Sequence, residues 1–325
     1  MAAMQSSTRP AVTVIALCYN HARFLLECLD SIAAQTCRDF ELIVTDDCSR
    51  DDSADMIADW IVRRCPEARF IRHARNRGLC PTLNEALALA RGEFISMIAT
   101  DDVWEPNKIA VQLAAMRAVS DDVAVVYSDA SQIDEQSQPL PHDFMAHHRP
   151  GLTPPTGEVF SALADGNFIP AMATLIRTSA IAAVGGYDER LTYEDYDMWL
   201  RLAARFRFLF VPGALARYRH VATSMVRTTF VAPTAAHCHT QFLIRDKFID
   251  SGKLSAEQRE RWIDNQAGAS YGLYVHGDPR ANACMWVSAR RSGSARLFLL
   301  AAAGSVGITR SRARRAMSLL GRRDD

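Results

Sequence analysis

The sequence has no net charge to spend on a polyanion. Lys plus Arg number 37 and Asp plus Glu 37 over 325 residues, so no nucleic-acid partner is expected from overall charge. It has no Cys-x-x-Cys pair among its eight cysteines, Cys18, Cys28, Cys37, Cys48, Cys65, Cys80, Cys238 and Cys284, which argues against a zinc site and for reduced thiols in a cytoplasmic setting. No apolar run follows Met1, so no secretory leader is expected. The longest apolar stretch near the C-terminus, 297–303, is far below the roughly 20 residues that span a bilayer. There is no Gly-x-Gly-x-x-Gly after the first strand and no Gly-x-x-x-x-Gly-Lys-Ser/Thr anywhere, which disfavours a usual dinucleotide site and a P-loop. Internal repeats and low-complexity tracts are also missing.

What is present alternates. Apolar, β-rich runs at Val12 to Leu17, Leu42 to Val44, Arg69 to Ile71, Phe94 to Ile98 and Val123 to Tyr127 read as strands. Helical patterns separate them. Phe24, Leu25, Cys28, Leu29 and Ile32 recur at spacings of three and four. A polar start at Ser49, Asp51 and Asp52 precedes Met56 to Ile61, Leu83 to Ala90 follows the third strand, and Pro106 opens a helix to Val119. The expected fold is α/β, a mostly parallel central sheet flanked by helices. Gln136 to Thr156 reads as a mobile loop. Ala171 to Ile176, Phe208 to Val211 and Leu215 to Arg219 read as further strands, Gly185-Gly186 as a turn, and Glu194 to Ala204 as a helix. Past Pro233 the pattern is all-helical: Phe242 to Ile249, Ala256 to Tyr274, Pro279 to Ser288 and Leu297 onward. The expected organisation is a disordered N-terminus over 1–10, a catalytic domain over 11–228, and a helical C-terminal region with a basic tail over 229–325.

Parallel sheets bind ligands beyond the carboxyl ends of their strands. Those ends here carry Cys18-Tyr19-Asn20, Asp46-Asp47-Cys48-Ser49, Asn76-Arg77-Gly78 and Thr100-Asp101-Asp102. Each acidic pair alone could merely start a helix. Two such pairs on neighbouring strand ends repel each other unless a cation neutralises them. Magnesium or manganese bridging to a diphosphate would do so.

These segments, with Val14 to Leu17, Asn84-Glu85-Ala86, Gly185-Gly186-Tyr187-Asp188-Glu189 and Tyr193-Glu194-Asp195-Tyr196-Asp197-Met198-Trp199-Leu200-Arg201-Leu202, closely resemble family 2 glycosyltransferases of the GT-A fold over about residues 11 to 225. The resemblance implies an inverting transferase that moves a sugar from a nucleoside diphosphate sugar, UDP foremost, to a hydroxyl of a saccharide or lipid-linked saccharide, in polysaccharide or glycoconjugate synthesis. It implies a donor site of Tyr19, Asn20, Asp46, Asp47, Asn76, Arg77, Gly78, Asn84 and Asp101. It implies a divalent Mn2+ or Mg2+ on Asp102 with Asp101, a late histidine ligand at His220, an acceptor side at Gly186, Glu194 and Trp199, and Asp195 as catalytic base. An acceptor hydroxyl attacks poorly until a carboxylate takes its proton. The sequence departs from the family's pattern at Ala99, where many members carry the first Asp of Asp-x-Asp-Asp, and at Cys48, where glycine is usual. A nucleotidyltransferase, or a non-catalytic nucleotide-sugar-binding protein, stands as the alternative.

The tail adds a last expectation. From Arg227 to Asp325 there are 16 basic and 8 acidic residues. Arg290, Arg291, Arg296, Arg310, Arg312, Arg314, Arg315, Arg322 and Arg323 interleave with Leu297, Phe298, Leu299, Leu300, Met317, Leu319 and Leu320. A basic amphipathic helix can lie on an anionic membrane surface, so peripheral contact with the inner face of a membrane is expected.

Overall fold

The computed structural model describes residues 9–222 and 233–306. It divides into two compact units, one of Met1–Glu189 with Tyr193–Ala222 and one of Arg190–Thr192 with Thr223–Asp325.

The first unit is built on β1 (Val12–Cys18), whose seven residues are all buried. A strand buried on both faces must lie inside a helix-covered sheet. It pairs in parallel with β2 (Phe40–Asp46) and β4 (Phe94–Ala99), and β2 pairs in parallel with β3 (Arg69–Arg72). The crossovers are α1 (Leu25–Ala33), α2 (Ser53–Arg64) and α3 (Leu79–Leu89). Each buries one stripe on the sheet: Leu25, Cys28, Leu29 and Ile32 for α1, and Ile57, Trp60 and Ile61 for α2. Burying one such side chain is worth about 1.5–3 kcal/mol.

The sheet continues past β4 with mixed pairing. Its order is β3-β2-β1-β4-β7-β6-β8-β5, with β5 at Val103–Trp104, β6 at Val123–Ile133, β7 at Thr174–Arg177 and β8 at Arg207–Arg219. β7 runs antiparallel to both β4 and β6, and β5 antiparallel to β8. Helix α4 (Lys108–Arg117) packs beside this half. Short helices α5 (Phe144–His148), α6 (Phe160–Ala164) and α7 (Thr178–Ala183) and the helix α8 (Asp195–Ala203) complete the unit.

Register matters most for the site. Cys18 stands opposite Asp46, Leu17 opposite Ala99, and Asp46 opposite Arg72. The four parallel strands therefore end level, and the residues after each emerge at one edge.

Several elements differ from expectation. Helix α3 starts at Leu79, four residues early, because Gly78 at φ +87° turns the chain into it and Pro81 is tolerated in a first turn. The segment 136–156 holds α5 and is tied down: Met145 N donates to Asp129 Oδ1 at 3.0 Å, Gln132 Nε2 to the His142 carbonyl at 2.9 Å, and the Tyr127 hydroxyl to the Pro155 carbonyl at 2.5 Å. The two expected strands over 208–219 are one strand, kept on β6 by register shifts that absorb its bends. β5, α6 and α7 are too short for periodicity to mark.

The second unit contains α9 (Ala235–Asp246), α10 (Ala256–His276), α11 (Ala281–Ser292) and α12 (Ala295–Ser305). Ser255 caps α10 with a full capping box to Gln258. Arg291 binds Asp246 at 2.6 Å and Asp250 at 2.8 Å, tying α11 back to the end of α9. Of the tail arginines, Arg290, Arg291 and Arg296 fall in this unit; those from Arg310 onward lie outside the described residues.

Candidate active site

The loop after β1 is shaped by its neighbours. Asn20 sits at φ +60°, its amide donating to Ser49 Oγ at 2.8 Å while its Oδ1 accepts from Arg50 N at 2.7 Å. Tyr19 beside it is 40% exposed, an aromatic face left open at the strand end. His21 turns back: its Nδ1 lies 3.0 Å from Thr100 Oγ1 and its Nε2 3.7 Å from Asp101 Oδ2. The first and fourth strand ends are thus joined through one imidazole that the sequence motifs did not flag.

After β2, the two aspartates do different work. Asp47 is the organiser of the third strand's loop. Its Oδ1 accepts from Arg77 N at 2.8 Å and meets His73 Nδ1 at 2.8 Å; its Oδ2 accepts from Gly78 N at 2.8 Å; its carbonyl accepts from Asn76 Nδ2 at 3.1 Å. Asp46 is 1% exposed. Its Oδ1 accepts from Ser49 N at 3.0 Å, and among the described residues its Oδ2 has no hydrogen-bond partner. Cys48, the next residue, takes φ +63°, a conformation that costs a residue with a Cβ about 1–2 kcal/mol.

The fourth strand end carries the adjacent acids. Asp102 is buried, and its Oδ1 accepts from Arg219 N at 2.8 Å. Burial, and then the charge of Asp101, push its carboxyl well above the usual carboxylate range. Asp101 is the more open of the two. The Arg219 guanidinium is buried and holds this turn: Nε donates to the Asp101 carbonyl at 2.7 Å, one terminal nitrogen to the Asp134 carbonyl at 3.0 Å and Ser137 Oγ at 2.8 Å, and the other to Glu27 Oε2 at 2.6 Å.

Opposite α3, the Gly185-Gly186 turn brings in α8. Asn84 is spent on this joint. Its Nδ2 donates to the Tyr187 carbonyl and to Glu189 Oε1, both at 2.9 Å, and its Oδ1 accepts from Tyr187 N at 2.9 Å. A Cβ on Gly186 would meet Asn84 Oδ1 at 3.0 Å, and Gly186 takes φ +72°, so the turn requires glycine there. Arg201 fastens the same turn, donating to the Val184 and Gly186 carbonyls at 2.8 and 2.7 Å and to Asp197 Oδ2 at 2.7 Å. Trp199 is fully buried, and among the described residues its Nε1 has no hydrogen-bond partner.

At the start of α8, Glu194 and Asp195 lie side by side. Burial and the neighbouring Asp195 push the Glu194 carboxyl up to about 8. Burial also raises Asp195, while donors from Tyr196 N at 2.6 Å and Asn167 Nδ2 at 2.8 Å pull it back down. Two carboxyls with separated proton affinities in one place are a common acid-base arrangement.

The expected residues are therefore drawn together to different degrees. Asp46, Asp47, Asn76, Arg77, Gly78 and Asp101 share the level edge, but Asp47, Asn76 and Gly78 satisfy one another and Asn84 faces the Gly186 turn. His220 bonds through Nε2 to Gln132 Oε1 at 2.5 Å, and among the described residues no three His, Cys, Asp or Glu side chains form a group able to hold a metal ion. Asp101 and Asp102 are adjacent oxygen donors of the kind a hard cation takes, and the buried Asp102 would have to ionise to serve as one. His21, His73, Asn167 and Arg219 were missed because each acts by orienting a motif residue, and a partner distant in sequence leaves no local pattern.

The level row of parallel strand ends, continued by an antiparallel β7 and by the helix α8, is the architecture of the GT-A fold, which two solved structures share. The TarS 1–349 structure from S. aureus in complex with UDP-GlcNAc is similar at TM-score 0.59 and 17% identity, covering 86% of this chain and 88% of that one. A mannosyltransferase from Pyrobaculum calidifontis in complex with GDP-Man and Mn2+ is similar at TM-score 0.56 and 19% identity, covering 96% and 84%. The sequence model of glycosyl transferase family 2 matches residues 13–183, and the chain belongs to that family. An uncharacterized glycosyltransferase of Rickettsia typhi is 27% identical over 236 residues, covering 71% of this chain and 69% of that protein. Chondroitin synthase of Escherichia coli is 27% identical over 197 residues, 60% of this chain and 26% of that protein. The chain likewise spans 60% and 31% of the relatives from Rickettsia prowazekii and Rickettsia felis. The protein is an enzyme of the glycosyltransferase class, and the non-catalytic and nucleotidyltransferase alternatives fall away.

Proposed function

We propose that this glycosyltransferase is an inverting enzyme that moves a sugar from a nucleoside diphosphate sugar, UDP foremost, to a hydroxyl of a saccharide or lipid-linked saccharide in polysaccharide or glycoconjugate synthesis. The observation that carries the reading is the strand register that levels Cys18, Asp46, Arg72 and Ala99. It gathers the donor-side groups beside the α3 joint to which α8 is fastened.

On this reading Tyr19 offers its face to the base, and the Asp47-shaped loop of Asn76, Arg77 and Gly78 borders the nucleoside. Asp101 and Asp102 would hold Mg2+ or Mn2+, and a bound ion would offset charge on the leaving diphosphate. His220, whose Nε2 lies 2.5 Å from Gln132 Oε1, would join that ligand set through its other ring nitrogen. Asp195 takes the proton of the acceptor hydroxyl as it attacks the anomeric carbon from the face opposite the diphosphate. Glu194, with its raised proton affinity, stays neutral near pH 7 and leaves the negative charge on Asp195. Gly186 and Trp199 support the acceptor side. The known structural relatives bound to UDP-GlcNAc and to GDP-Man with Mn2+ support the donor class.

The test is Asp195→Asn in a panel of UDP-glucose, UDP-N-acetylglucosamine and GDP-mannose. The variant should bind UDP with Mn2+ as the wild type does in calorimetry and lose turnover of the donor by at least about 100-fold. Wild-type turnover in the variant overturns the assigned base.

The arginine-rich sequence after Val306 supports a second element, peripheral contact with an anionic membrane surface on the cytoplasmic side. Among the described residues no helix is long and apolar enough to cross a membrane, while α12 exposes Phe298, Leu299 and, just beyond it, Val306. Deleting residues after Ser294 should abolish co-sedimentation with anionic liposomes; unchanged binding would refute the contact.

A further inference from the structure

Asp195 does not hold its orientation alone. Asn167, in the loop between α6 and β7, places Nδ2 2.8 Å from Asp195 Oδ2, and its own Oδ1 accepts from Ile169 N at 3.1 Å. The second bond fixes the amide's sense: with Oδ1 claimed by a backbone donor, the nitrogen faces the carboxylate. The loop is itself anchored. Arg149 donates to the Ala162 carbonyl at 3.2 Å and the Gly166 carbonyl at 3.0 Å, and the Tyr196 hydroxyl donates to the Leu163 carbonyl at 2.8 Å. Gly166, at φ +136°, is where the chain turns to deliver Asn167.

We propose that Asn167 is a positioning residue for the catalytic step, fixing Oδ2 of Asp195 through its amide so that the carboxylate is held with its remaining lone pairs open to the acceptor hydroxyl. The inference rests on reading Asp195 as the base. Tyr196 N holds Oδ1 from the helix start, so the carboxylate is gripped at both oxygens with one lone pair free on each. A donor to the ionised form favours that form, which opposes the burial that raises Asp195. The ionisable groups that feel its charge are Glu194 beside it and Tyr187 after the glycine turn; Cys80 on α3 faces those two in turn, and Asp188, Asp197 and Arg201 face Cys80. Among the described residues, the side chain seen to donate to Asp195 is that of Asn167.

The experiment titrates the carboxyl itself in the full chain labelled with 13C-aspartate. The Asp195 signal is assigned by its loss in Asp195→Asn. Asn167→Ala should raise the Asp195 midpoint by about one pH unit, the worth of one hydrogen bond to a charged group. Asn167→Asp keeps the shape and the Ile169 bond but substitutes a like charge for the donor, so it should raise the midpoint further. The acid limb of hydrolysis of the responsive donor in the same three-sugar panel should move with it, while calorimetric affinity for UDP stays at the wild-type value. A midpoint unmoved in Asn167→Asp overturns the proposal even if Asn167→Ala fails to fold. Failure of the base reading looks different: Asp195→Asn then turns over donor like the wild type, whatever Asn167 does.

Discussion

The backbone amide of Arg219, at the last residue of β8, donates to Asp102 Oδ1 at 2.8 Å, while its side chain holds the carbonyl of Asp101. One residue from the far end of the sheet thus fixes both acids of the fourth strand end. Its guanidinium is fully buried, lies over the Phe24 ring at 4.8 Å, and pairs with Glu27. Arg219→Met should cost roughly 2–4 kcal/mol of stability, read by urea unfolding, because carbonyls of Asp101 and Asp134 lose their donor. At temperatures where the variant is folded, Mn2+-dependent UDP binding should weaken by more than UDP binding without metal. Equal weakening of the two would separate Arg219 from the acidic turn.

Cys48 stands in the left-handed region at φ +63°, directly after the Asp46-Asp47 pair. Nothing about a thiol suits that backbone; glycine does. Cys48→Gly should therefore stabilise the protein, though the greater freedom of glycine in the unfolded chain trims the gain to about 0.5–1 kcal/mol. Thermal unfolding checks it, and a lower midpoint than wild type contradicts it.

Most of the parallel half of the sheet was legible in sequence because β1 is buried on both faces and β2 and β4 are nearly so, and they show as largely apolar runs; β3, with its two end residues exposed, read as a strand only from Phe70 and Ile71. The acids at the strand ends were legible as a set: one pair alone could merely start a helix, whereas two pairs on neighbouring strand ends repel each other unless something neutralises them. What stayed hidden is what depends on distant pairing. β5 is two residues long and exists because Val103 and Trp104 meet Arg217 and Ala216. Asp47 read as a donor-binding residue, yet its carboxylate is largely consumed by His73, Arg77 and Gly78, none of which a local pattern connects to it. Asn84 likewise sits in a motif whose bonds go to residues about 100 positions away.

The His73 ring bridges two carboxylates, Asp47 Oδ1 at 2.8 Å and Glu85 Oε2 at 3.1 Å, and Arg77 pairs with the same Glu85. It ties α3 to the loop of Asn76, Arg77 and Gly78, the loop proposed to border the nucleoside. His73→Leu fills the space but leaves buried Asp47 short of a partner, a loss of about 1–3 kcal/mol. The consequence should fall on donor binding: UDP affinity drops about tenfold or more by calorimetry, as 1.4 kcal/mol of loop strain would give, while turnover at saturating donor is nearly kept. A fall in turnover with unchanged affinity would place His73 in the chemistry instead.

Glu194 links function to stability. Burial and the charge of Asp195 raise its carboxyl from the ordinary carboxylate range to about 8. The folded state therefore holds a proton that the unfolded chain releases once pH passes its ordinary carboxylate range. The resulting stabilisation is complete below about pH 4.5 and is lost progressively as pH rises toward 8. Above that, two adjacent half-buried carboxylates are both charged. Urea midpoints followed from pH 5 to pH 9 should decline across this window, and Glu194→Gln, which is neutral throughout and close in shape, should flatten the decline. The same variant should leave donor turnover near pH 7 within a few-fold of wild type, since Glu194 is already protonated there, and should extend activity on the alkaline side. A wild-type slope preserved in Glu194→Gln would mean that another group, not this one, carries the proton.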